Sequence, residues 1–164
     1  MSRDFDFLAG SWRVHHLRLQ DRLVGSQRWD QFEGTTIAQL LMGGVANIDD
    51  NLLHLPGGTY RALTLRSYDP TSRQWAIWWL DGRTPHTLDT PVRGSFNDGN
   101  GVFYAEDSLN GKPIRVRFIW SDITANSAHW EQAFSPDAGA TWETNWTMEF
   151  TRIVELPCGT SSRV

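Results

Sequence analysis

Residues 142–152 read WETNWTMEFTR. Trp142, Thr144, Trp146, Met148 and Phe150 recur at every second position, and Arg152 continues their phase. Between them stand Glu143, Asn145, Thr147, Glu149 and Thr151, all polar. Successive side chains of a strand point to opposite faces, so this period of two marks a strand with one buried face. The first set is expected to face inward.

The same rhythm runs through the chain. In PIRVRFIW, residues 113–120, the expected inward set is Ile114, Val116, Phe118 and Trp120, which leaves Arg115 and Arg117 in solvent. In HWEQAF, residues 129–134, it is Trp130, Gln132 and Phe134. Gln132 then stands among aromatic rings, and a buried amide needs a partner, either a neighbour or a ligand. In the first strand Trp12 and Val14 place His16 inward and His15 outward. Neighbours on opposite faces cannot share a metal ion, so no metal site is expected there.

Turn signals separate the runs: Pro56-Gly57-Gly58, Asp69-Pro70, Asp81-Gly82, Asp98-Gly99, Asn110-Gly111 and Pro136-Asp137-Ala138-Gly139. About ten strands on short turns must run antiparallel. One long antiparallel sheet tends to curl until its edges meet. The expected fold is an all-β, up-and-down antiparallel barrel, with a two-sheet sandwich as the alternative. The helical candidate is the short start RDFDFLAG, residues 3–10, where Phe5 and Leu8 share a face. Residues 1–154 form one expected domain, and the Gly/Ser-containing tail 155–164 is expected to be flexible. A barrel of this size has room for one small ligand.

Nine tryptophans lie along the whole chain: Trp12, Trp29, Trp75, Trp78, Trp79, Trp120, Trp130, Trp142 and Trp146. A single shared interior explains that spread. The hydrophobic fraction of 40% and charged fraction of 21% are those of an ordinary soluble globule. A net charge of −4 with no basic cluster argues against a nucleic-acid partner. No apolar run approaches the roughly 20 residues that span a bilayer. The start MSRDFDFLAGSW lacks the basic-then-apolar pattern of a signal peptide, so the expected location is cytoplasmic. The one cysteine, Cys158, excludes an internal disulfide.

QWAIWWLDGRTPHTLDTP, residues 74–91, departs from alternation. Trp75, Ile77 and Trp79 share one face, yet Ala76, Trp78 and Leu80 on the other are apolar too. A strand buried on both sides needs external cover. The N-terminal helix could supply it, and so could a second copy, which makes a homodimer a candidate. The following loop holds Asp81, Arg83, His86 and Asp89. His86 could serve as a base oriented by Asp81 or Asp89, with Arg83 as an anion clamp. With no nucleophile or metal partner in sight, a stiffened rim loop is the preferred reading. Glu106 and Asp107 are adjacent, so they point apart and form no carboxylate pair. If Tyr104 faces inward, Glu106 does too, but apolar Phe103 leaves the phase of that strand open. NIDDN, residues 47–51, lacks EF-hand spacing and reads as a solvated turn.

Gly10-Ser11-Trp12 opening the first strand and Arg152 ending the last together resemble the lipocalin and fatty-acid-binding (calycin) superfamily. The resemblance implies that Arg152 packs over Trp12 and closes one barrel end by a cation–π contact. Over nearly its full length the chain is also similar to an uncharacterised bacterial family of lipocalin-like domains of unknown function. FDFLAGSW, WWLDGRTPHTLD, IRVRFIW and WEQAFSPDAGATWETNW carry that similarity. It implies a fold and no particular activity. Calycins include carriers of apolar small molecules, some haem binders and a few enzymes. Nitrobindin-like haem binders use a late histidine. The only late one here, His129, is out of phase with Trp130, so no haem or other cofactor is expected. SPDAGATW, residues 135–142, resembles the Asp-box of sialidase-type propellers. One copy in so short a chain excludes a propeller and implies a structural hairpin.

The favoured function is binding of a small apolar or aromatic molecule inside the barrel. Trp79, Trp120, Trp130 and Trp146 supply walls; His16, Gln132 and Tyr104 orient the ligand; Asp81, Arg83 and His86 form the rim. The rivals are a cofactor-free enzyme using His86 or Glu106, and a structural or interaction barrel with a filled core.

Overall fold

The computed structural model describes residues 2–154, so Cys158 and the tail at 155–164 lie outside it. Ten strands follow one another: β1 (Gly10–Leu19), β2 (Trp29–Leu41), β3 (Ala46–Leu55), β4 (Gly58–Asp69), β5 (Gln74–Asp81), β6 (Val92–Asn97), β7 (Asn100–Leu109), β8 (Lys112–Ser121), β9 (Ser127–Ser135) and β10 (Glu143–Arg152). Each pairs antiparallel with its neighbours in the chain, and β1 pairs with β10 to close a barrel. The tight β6–β7 and β7–β8 turns carry two left-handed residues each, Asp98-Gly99 and Asn110-Gly111. That backbone matches the twist of the strands they join.

The expected N-terminal helix is a single 3-10 turn, Asp6–Leu8. It does not cover the outside of β5. Phe5 instead enters one end of the barrel, edge-on to Trp75 and Phe96 and stacked on Phe103. Phe5 and Leu8 are each only 1% exposed, so this segment plugs that end. Arg152 fastens the plug. Its guanidinium lies 4.1 Å from the Trp12 ring centroid and donates to the carbonyls of Phe7, Ala9 and Ala125. The Trp12 indole in turn donates to the Leu8 carbonyl at 2.7 Å. Gly10 has a φ of +117°, and a Cβ there would meet the Arg152 guanidinium at 2.7 Å. Only glycine suits both demands.

Trp12, Trp75, Trp120, Trp130 and Trp146 belong to one buried cluster, with Trp79 packed against it. Trp29, Trp78 and Trp142 stand outside that cluster. Trp142 was expected inward, but the β9–β10 register shifts between Thr144 and Trp146. The extra residue, Asn145, moves everything before it to the opposite face. Trp142 therefore packs on the outer wall against Tyr104, under the Arg117 guanidinium. NIDDN is not a turn either. It lies in the middle of β3, with Asp49 and Asn51 buried. Among the described residues no helix is long and apolar enough to cross a membrane.

Candidate functional site

A cavity of about 230 Å³ occupies the barrel interior beyond the plug. Its walls are apolar: Ile77, Trp79, Phe118, Trp130, Trp146 and Met148. Trp146 stands edge-on to both Trp79 and Trp130, at 5.7 and 5.6 Å between centroids. Phe118 meets Trp130 in the same manner at 4.9 Å. Edge-to-face pairs of this kind are favourable beyond the area they bury, so each ring supports the next.

The inner end is polar. In GTYRALTLRSYD, the run that forms β4, alternation places Tyr60, Ala62, Thr64 and Arg66 inward. On β3 it does the same for Asn47, Asp49 and Asn51. Arg66 donates to Asp49 at 2.6 Å and to Asn47 at 3.0 Å, with the Arg66 and Asp49 side chains 5% and 3% exposed. Asn51 donates to Asp49 and accepts from Thr36. A buried charge pair persists only where such hydrogen bonds surround it.

The opposite end forms the mouth, where Arg18, Arg22, Asp81, Thr84 and Asp89 line the cavity. Arg18 lies 4.6 Å over the Trp146 ring and donates to the Tyr60 hydroxyl at 3.4 Å. Arg22 lies over Phe134, and burial lowers its pKa to about 10. Asp81 holds the Arg83 guanidinium, and these hydrogen bonds keep its carboxyl below the usual carboxylate range.

Trp79, Trp120, Trp130, Gln132 and Trp146 all line the cavity. Gln132 also donates to the Asn145 side-chain Oδ1 at 2.8 Å, so the bulge residue is its partner. His16 does face inward and is 4% exposed, but it lies behind the wall rather than on it. Its ring stacks on Phe32 and its Nδ1 accepts from the Trp146 indole.

Tyr104 and Glu106 are placed otherwise than expected. Phe103 takes the inward position of β7 and is fully buried. Opposite it lies Gly94, which lets the two strands approach closely: a Cβ there would run into the β7 backbone, with the Phe103 Cα at 2.8 Å. Tyr104 faces outward beneath Arg115, and Glu106 pairs with Arg115 on the outer wall. His86 is exposed in the loop after β5 and does not line the cavity; Asp81 is engaged with Arg83 instead. His129 stands on the outer wall between Glu131 and Glu149. Sequence reasoning missed Arg66, Asp49, Thr64, Arg18 and Arg22. The alternation of β4 carried a signal for Arg66 and Thr64.

No family model matches the chain, so none supports the bacterial family, and no curated protein matches it. Among solved structures, the S-type phycobiliprotein lyase CPES from Guillardia theta superposes with a TM-score of 0.61 at 8% identity, over 93% of this chain and 92% of that one. EF1p2_mFAP2b bound to DFHBI superposes with a TM-score of 0.49 at 11% identity, over 93% and 99%. At such identities the likeness is one of architecture: the chain is a closed, antiparallel ten-stranded barrel with a lipocalin-like fold.

Proposed function

We propose that this barrel binds a small, largely aromatic molecule in its interior. The observation that carries the reading is the cavity of about 230 Å³ between aromatic walls and a polar inner end. A filled structural barrel would have no such space. An apolar cavity of about 150 Å³ holds benzene, so this one suits a single ring with a short substituent. Aromatic walls between two polar ends can hold a ring and fix its orientation through the polar groups. The enzyme reading is less favoured, because His86 and Glu106 both stand away from the cavity.

Titration with small aromatic probes such as acetophenone tests the proposal. Ring contact with Trp79, Trp130 and Trp146 should quench tryptophan fluorescence saturably at one site per chain. Met148→Trp, which fills the cavity, should abolish that signal, and His86→Ala should leave affinity unchanged. Quenching that never saturates, or that survives Met148→Trp, would refute it.

We propose further that a second copy covers the outer face of β2–β5. On that face Ile37 is exposed, and Ile48, Leu63, Leu65, Trp78 and Leu80 are half-buried neighbours across the strands. A patch of this kind marks an association surface. Sedimentation should give a dimer for the native chain and a monomer for Trp78→Lys; a native monomer at high concentration rules it out.

A further inference from the structure

The polar inner end of the cavity has a consistent bias. Its acceptors are all engaged: the two Asp49 oxygens by Asn51 and Arg66, the Asn47 oxygen by Arg66, the Asn51 oxygen by Thr36. Its donors are not. The Nε of Arg66 and the Nε1 of Trp120 are buried without a hydrogen-bond partner among the described residues. Both side chains line the cavity, and they are 4% and 2% exposed. The Arg66 guanidinium carbon lies 5.8 Å from the Trp120 ring centroid, so the two spare N–H groups belong to one neighbourhood. A buried donor left unsatisfied has lost its hydrogen bond to water and gained none in return. The plug holds both in place from behind, with Phe5 5.1 Å from the guanidinium and 6.0 Å from the Trp120 ring.

We infer that the occupant of this cavity carries a hydrogen-bond acceptor, a carbonyl or carboxylate oxygen, on its leading end, and that Trp120 and Arg66 donate to it. The ligand class is then an aryl ketone, amide or acid that enters oxygen first, with its ring left between Trp79, Trp130 and Trp146. An aryl amine or a plain hydrocarbon of the same shape leaves both donors unanswered. Specificity resides in hydrogen bonds rather than in the aromatic walls, since a site built to bond a polar group rejects the analogue that lacks it. This inference rests on the binding reading above.

Acetophenone and α-methylstyrene test it, because they differ only in an oxygen replaced by a methylene. The quantity to measure is the ratio of their affinities, by fluorescence quenching, in the native protein and in Trp120→Phe. Removing one donor while keeping an aromatic ring should shift that ratio about fivefold or more toward α-methylstyrene. An unchanged ratio overturns the inference while leaving the binding reading standing. Binding of neither probe overturns both. A second measurement does not depend on the variant folding well. In the native protein the Trp120 indole proton should move downfield with acetophenone and not with α-methylstyrene. The same movement with both probes also overturns the inference.

Discussion

The Trp146 indole donates to Nδ1 of His16 at 3.1 Å. An indole nitrogen can only donate, so Nδ1 must be a bare acceptor and the imidazole must be neutral. Burial, with smaller contributions from His15 and Arg18, lowers the His16 pKa to about 3. Protonation would set two N–H groups against each other behind the cavity wall.

A stability profile follows from that arrangement. In the unfolded chain His16 takes its proton near pH 6.5; in the folded chain it resists to about 3. The unfolded state therefore binds more protons between those values, and stability falls as pH falls through the window. The loss amounts to a few kcal/mol by its lower end, at about 1.4 kcal/mol per pH unit. The melting temperature should drop between pH 6.5 and 4.5 in the native protein and less steeply in His16→Phe. Equal slopes would show that His16 does not govern this range.

Arg152 holds three carbonyls and one ring at once. Lysine keeps the charge but cannot present the same fork. Arg152→Lys should therefore cost about 2 kcal/mol or more in urea unfolding, near the loss in Arg152→Ala. Hydrogen exchange at residues 5–9 should accelerate in both. If lysine restores native stability, charge alone secures the plug.

The Asp49–Arg66 pair predicts an asymmetric outcome. Asp49→Asn strands a buried guanidinium and should cost about 3–5 kcal/mol. Asp49→Leu combined with Arg66→Met removes both charges and should recover most of that stability. A double variant as unstable as the single one would mean that packing, not charge, dominates at the inner end.

The loop between β9 and β10 is organised by Asp137. Its carboxylate accepts from the Ser135 hydroxyl and from both the backbone N–H and hydroxyl of Thr141. These bonds, the Thr141 hydroxyl first, lower its pKa to about 2. A depressed carboxyl lends stability above its unfolded pKa and surrenders it as pH falls through the folded value. The loop should thus stay ordered to about pH 4 and loosen toward 2, read from the amide resonances of Gly139 and Thr141. Asp137→Ala should show the loosened state at neutral pH.

The barrel was legible because alternation in β8 and β9 is a local pattern with one geometric meaning; its fastened end was legible through the resemblance that Gly10-Ser11-Trp12 and Arg152 carry. The inward tryptophans followed from the same alternation. Three features were not legible. Asn145 carries no mark of an extra residue, so the phase of Trp142 came out reversed. Phe103 and Tyr104 are both aromatic, and only partners distant in sequence, Phe5 and Phe96 beside Phe103, distinguish the inward one. Asp49 looks solvated until Arg66, 17 residues along, is placed beside it. Polar groups inside a barrel answer to cross-strand neighbours, and cross-strand pairing is what a linear pattern lacks.

The ten joints of the barrel are unequal. β5 and β6 meet only at Trp75–Gly94, Ala76–Arg93 and Ile77–Val92, while β7 and β8 are paired along their full length. Beyond Ile77 the wall is bridged by the loop, through Leu80–Leu88 and the Asp89 N–H on the Trp79 carbonyl. Thr84 and Asp89 of that bridge border the cavity. The hoop therefore has one short seam, held by three residue pairs below and spanned by a loop above.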